Sequence, residues 1–140
     1  MANPTSFRLP AELLTRTAEE AAREGVSVTS LVSALLDEGL KTRHFPGIVF
    51  RDGPTGRRAS VSGGPDVWEI VRAIRLADGE GEGRVRQVAA DTGIAIHLLH
   101  LAVDYASAYP DEIDARIDSN ERAAERVRRM VEERERLLSQ

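Results

Sequence analysis

Ser6 and Arg8 stand two residues apart in the stretch Thr5-Ser-Phe-Arg-Leu9. An extended backbone therefore places their hydroxyl and guanidinium on one face, with Phe7 and Leu9 on the other. A guanidinium offers its N–H donors in a fixed fork, which suits paired acceptors such as a carboxylate, a phosphate or the edge of a guanine. More cations lie farther on: Arg51, Arg57 and Arg58 flank a Gly-Pro turn, and Arg84 with Arg86 opens a helical stretch. Ser27, Thr29 and Ser30 gather where a helix is expected to begin, and free N–H groups and the helix dipole favour an anion there. These residue types bind anions and hydrogen-bonding edges; none is a nucleophile paired with a base.

Catalytic arrangements are missing from the sequence. It holds no cysteine, no G-x-S-x-G, no H-E-x-x-H and no P-loop, so no enzyme is expected. The glycine-rich stretch 77–83, ADGEGEG, is not followed by GK[ST], and its two glutamates would repel phosphate. His97 and His100 stand at i, i+3 without a third ligand at a recognisable spacing; they are read as core or surface histidines, with no metal and no cofactor.

The elements that would position Arg8 and the serines follow from periodicity. Pro10 suits the first turn of a helix that carries an apolar stripe of Leu14, Ala18, Ala21 and Ala22, and Gly25 stops it. Ser27 is a good N-cap for a second helix, in which Val28, Leu31, Val32, Leu35 and Leu36 follow the i, i+3, i+4, i+7, i+8 pattern. One five-residue strand and two helices do not complete a domain. The strand has no partner within the segment, and unpaired backbone groups are costly. A second copy of the chain solves this by antiparallel strand pairing and buries the apolar second helix. Phe7, Leu9, Leu31, Val32, Leu35 and Leu36 are thus expected in a homodimer core.

The order strand, proline, helix, Gly-x-Ser, helix in SFRLP–AELL and EGVSVTSLVSALL resembles the Arc/MetJ/CopG ribbon-helix-helix regulators over residues 5–43. The resemblance implies a two-stranded ribbon lying in the major groove of double-stranded operator DNA, with Ser6 and Arg8 at base edges. Ser27, Thr29 and Ser30 would then hold a phosphate.

After Arg43 the composition changes. Ile48, Val49 and Phe50 enter a β-hairpin, 52–56 turn, and Ala59 to Val61 return. A helix follows, with Pro65 early, Asp66 in its first turn, and Val67, Ile70, Val71 and Ile74 at helical spacing; Trp68 is read as a core plug. Ala89 and Gly93 then suggest a helix-turn-helix leading into a helix over 96–109. From His44 to about Ile117 the chain is similar to the small winged-helix-like domain of VapB-type antitoxins. That resemblance implies a type II antitoxin that represses its own operon and binds a cognate toxin. The would-be recognition helix contains no Arg or Lys, so Arg51, Arg57, Arg58, Arg84 and Arg86 are the better phosphate contacts of this domain.

Residues 111–140 are nearly all charged or alanine. Ile113, Ile117, Asn120, Ala124, Val127, Val131 and Leu138 lie on a 4-3-4-3 spacing interrupted by Arg134. Two readings stand side by side: a helix folded back on its own domain, or one that docks on a partner through Val127, Val131, Leu137 and Leu138. The expected domains are thus 1–43, 44–110 and 111–140, in a mainly α chain with short β. A protein-binding or scaffold module with little direct DNA readout remains the alternative function.

The formal net charge is −4. Residues 1–43 carry five basic and six acidic side chains, 44–110 seven and eight, and 111–140 seven and nine. No segment is basic overall, so DNA affinity must come from locally placed groups. The N-terminus has no apolar signal core and no apolar run approaches a membrane span, which gives a cytoplasmic, non-membrane expectation.

Overall fold

A computed structural model describes residues 3–140. The protein is mainly helical with one small antiparallel sheet, in the order α1 (Ala11–Glu24), α2 (Val28–His44), β1 (Ile48–Arg51), β2 (Arg58–Val61), α3 (Val67–Leu76), α4 (Glu82–Thr92), α5 (Ile96–Ala108) and α6 (Pro110–Leu138). It divides into two compact units, the first ending at His44 and the second being Phe45–Gln140. No helix among the described residues is long and apolar enough to cross a membrane.

In the first unit, residues 3–10 have no regular secondary structure, and no ladder partner for them exists among the described residues. Pro10 sits one place earlier than its residue type suggests. It occupies the N-cap of α1 at φ −52° and ψ 139° rather than the first turn, and its carbonyl accepts from the Leu14 N–H at 3.0 Å. Gly25 closes α1 at φ 68°. There the N–H of Val26 reaches the Ala21 carbonyl at 3.0 Å and that of Gly25 the Ala22 carbonyl at 3.3 Å, the paired bonds of a Schellman stop. Ser27 caps α2, its Oγ accepting from the Ser30 N–H at 3.1 Å. Packing of α1 on α2 buries only Thr17, Ala21 and Leu31. Of the expected α1 stripe, Leu14, Ala18 and Ala22 remain exposed.

The second unit has a real core. β1 pairs with β2 in the register Ile48↔Val61 to Arg51↔Arg58. Ile48, Val61, Val67, Ile70, Val85, Val88, Leu99, Ala102, Tyr105, Ile113 and Ile117 are buried together, with α3 packed against α4, α5, α6 and β2. Tyr105 is fully buried, edge-on to Phe45 at a centroid distance of 5.4 Å, and its hydroxyl donates to Glu112 at 2.8 Å.

Two boundaries differ from the sequence reading. Asp66 is the N-cap of α3 and not part of its first turn, so Pro65 lies outside the helix. The Asp66 N–H donates to the Glu69 side chain at 3.2 Å, one arm of a capping box that the spacing Asp66-x-x-Glu69 encodes. The expected division at 110/111 does not exist. Pro110 opens α6, a position where proline's missing N–H costs nothing, and the first two turns of α6 bury Ile113 and Ile117 in the second unit's core. Arg75 binds Asp114 at 2.8 Å, and Arg116 holds the hairpin turn through the Thr55 carbonyl at 2.7 Å and the Arg57 carbonyl. The folded-back reading describes the first half of this helix; beyond Glu125 every residue is exposed.

Candidate nucleic-acid interface

The exposed segment 3–10 holds Ser6 and Arg8, both open to solvent. Phe7 is 75 % exposed and Leu9 39 %. Leu31 is buried and Val32 half-buried, but Leu35 and Leu36 are 51 % and 55 % exposed. Nine large apolar side chains of this unit are exposed, from Phe7 to Leu40. Large apolar patches, where such side chains are contiguous, mark contact surfaces.

At the start of α2, Ser27, Thr29 and Ser30 are exposed. The Ser27 hydroxyl accepts from the Ser30 N–H and donates to the Ser30 Oγ at 3.0 Å. The cap therefore satisfies one of the helix's orphan N–H groups, while those earlier in the turn have no i−4 carbonyl within the helix.

The second unit's arginines are less available than their sequence position suggests. Arg58 is the clearest case. Its Nε binds the carboxylate of Asp66, which also accepts from the Ser60 hydroxyl at 2.6 Å and from Trp68 Nε1 at 3.2 Å. Ser60 is fully buried and Asp66 nearly so. Burial raises the Asp66 pKa, but the Ser60 hydrogen bond and the Arg58 charge outweigh it, and the carboxyl is held below its usual range. Arg58 also lies flat against Gly53, where an added Cβ would fall 1.5 Å from a guanidinium nitrogen. This side chain is thus a structural strut, committed to Asp66 instead of open to the phosphate that its sequence position suggested. Arg51 donates to the Val61 carbonyl at 2.9 Å and to the Gly64 carbonyl at 2.5 Å, closing the base of the hairpin. Arg84 donates to the Gly79 carbonyl at 2.8 Å. Arg57, 3.3 Å from Asp52, and Arg86 keep exposed guanidinium groups.

α4 and α5 are joined by a short turn at Gly93, φ 73°, whose N–H donates to Ala89. Leu99, Ala102 and Tyr105 of α5 face the core, leaving His97, Asp104 and Ser107 outside; His100 binds Glu82 at 2.5 Å. No group of three metal-ligating side chains occurs among the described residues.

On α6, Val127, Val131, Leu137 and Leu138 are 59 %, 49 %, 65 % and 76 % exposed. Two features escaped the sequence reading. The Arg58–Asp66–Ser60–Trp68 network was partly signalled by Asp66-x-x-Glu69 and by Arg58 and Ser60 sharing one strand face. The Arg116 clamp on the turn had no local signal. No protein-family model, curated protein or solved structure matches the chain.

Proposed function

We propose that the protein is a dimeric, sequence-specific DNA-binding repressor of the ribbon-helix-helix type. Residues 5–43 of two chains pair as a ribbon in the major groove. Arg8 and Ser6 read base edges, while Ser27, Thr29 and Ser30 at the start of α2 hold phosphate. The observation that carries this reading is the incomplete first unit: a segment, 3–10, with no regular secondary structure and no strand partner among the described residues, beside two helices that bury three side chains between them. A second copy supplies both the missing strand and the missing core. The hairpin β1–β2 with α4, the Gly93 turn and α5 supports a winged helix-turn-helix-like second domain. In it Arg57 and Arg86 are the remaining phosphate candidates. The antitoxin role, with a cognate toxin as partner, rests on the family resemblance.

Binding to the protein's own promoter DNA tests the reading. Arg8→Ala is expected to weaken specific binding by about 1–3 kcal/mol, the worth of one bidentate base contact, and to leave non-specific binding nearly unchanged. Equal losses on operator and unrelated DNA in a band-shift titration would reject Arg8 as a base reader. Undiminished affinity after deletion of residues 1–10 would reject the ribbon.

A further inference from the structure

The far half of α6 carries an exposed apolar stripe with charges ordered along its two edges. Val127, Met130, Val131, Leu137 and Leu138 are all between 49 % and 76 % exposed. At roughly 100° per residue they fall within one stripe, together with Ala123 and Ala124. Arg126 and Glu133 lie along one edge of that stripe, and Arg128 and Glu135 along the other, each roughly a quarter turn from its centre.

We propose that this half-helix pairs antiparallel with the same segment of a second copy of the chain, crossing between Met130 and Val131. A two-fold axis perpendicular to the helices brings each edge against the same edge of the partner, run in reverse. Arg126 then meets Glu133 of the other copy, and Arg128 meets Glu135, each pair within about two residues' rise, or roughly 3 Å, along the axis. All four flanking pairs are attractive. The apolar positions match in size as well: Ala123 lies beside Leu137 of the other copy and Ala124 beside Leu138, Met130 lies opposite Val131, and the aliphatic stem of Arg134 covers Val127.

A parallel pair fails on the same residues. It joins opposite edges, placing Arg126 beside Arg128 and Glu133 beside Glu135. The present partners of these charges do not compete strongly. Arg128 binds Glu125 at 2.7 Å and Glu133 binds Arg136 at 2.9 Å, both exposed i, i+3 pairs of the kind worth little in water. The surface is self-complementary, as an isologous contact must be. It is independent of whether residues 5–43 meet DNA.

The chain has no cysteine, so introduced thiols report pairing cleanly. Full-length Met130→Cys is expected to become disulfide-linked to its copy under mild oxidation. Ala123→Cys and Leu137→Cys chains are each expected to stay unlinked alone, since antiparallel pairing holds residue 123 about 22 Å from its own copy. Co-expressed, these two should link to each other. In the Met130→Cys background, Arg126→Glu with Arg128→Glu should abolish the link, and Glu133→Arg with Glu135→Arg should do the same. Mixing the two charge variants should restore it. Self-linking of Ala123→Cys would overturn the antiparallel pair in favour of a parallel one. A Met130→Cys chain that stays unlinked, whether its tail is free or held by another protein, would overturn self-pairing altogether.

Discussion

Asp66→Ala is expected to destabilise residues 45–140 by about 3–5 kcal/mol, the cost of removing one partner from a buried ion pair. The substitution strands Arg58, whose Nη1 is already buried without a partner. It also unties the Ser60 hydroxyl and Trp68 Nε1 and takes away the N-cap residue of α3. Chemical denaturation of the full chain measures the loss. An effect within about 0.5 kcal/mol, the range of ordinary surface substitutions, would show that the network carries no weight. The same group sets an acid limit. Because the folded-state pKa of Asp66 lies below its ordinary 3.8, its contribution is complete above that value and is lost as the pH falls through the folded pKa. The stability of Asp66→Asn should therefore fall less steeply than that of the parent on acidification below about pH 4. Parallel acid profiles would contradict the shift.

Leu35→Ala and Leu36→Ala are each expected to cost about 2–5 kcal/mol per buried side chain if a second copy covers α2, as for leucines in a packed core. In the isolated chain both side chains are more than half exposed, and a surface position would change stability by no more than about 0.5 kcal/mol. The two outcomes are far apart. Sedimentation at dilute and concentrated protein reads the dimer, and each variant should dissociate at concentrations where the parent stays paired. Variants that remain dimeric with unchanged stability would remove α2 from the interface and, with it, the ribbon as the dimer's organiser.

What the sequence made legible was local. Ser27 as a cap, Gly25 and Gly93 as helix stops, and the hairpin over 48–61 all follow from residue types whose preferences act within a few positions. The periodic leucines and valines of α2 placed the helix, but they did not place the core. Within one chain that face has little besides α1 to pack on, and Leu31 alone of it is buried, with Val32 half-buried. The errors came from contacts between distant residues. Arg58 looked like a solvent-facing cation until Asp66, Ser60 and Trp68 converged on it. The division after residue 110 followed the change to a nearly all charged or alanine composition at Asp111. The apolar pair Ile113 and Ile117, on the far side of it, belonged to the core already built by Tyr105 and Leu99.

Trp68 gives the two units separate optical signatures. It is the chain's single tryptophan, and both tyrosines, Tyr105 and Tyr109, also lie in the second unit, so the first unit contains no strong ultraviolet chromophore. With its indole N–H bound to the Asp66 carboxylate, tryptophan emission follows the melting of residues 45–140 alone. Far-ultraviolet dichroism follows the helices of both units. The difference between the two melting curves isolates the first unit in the intact, unlabelled protein.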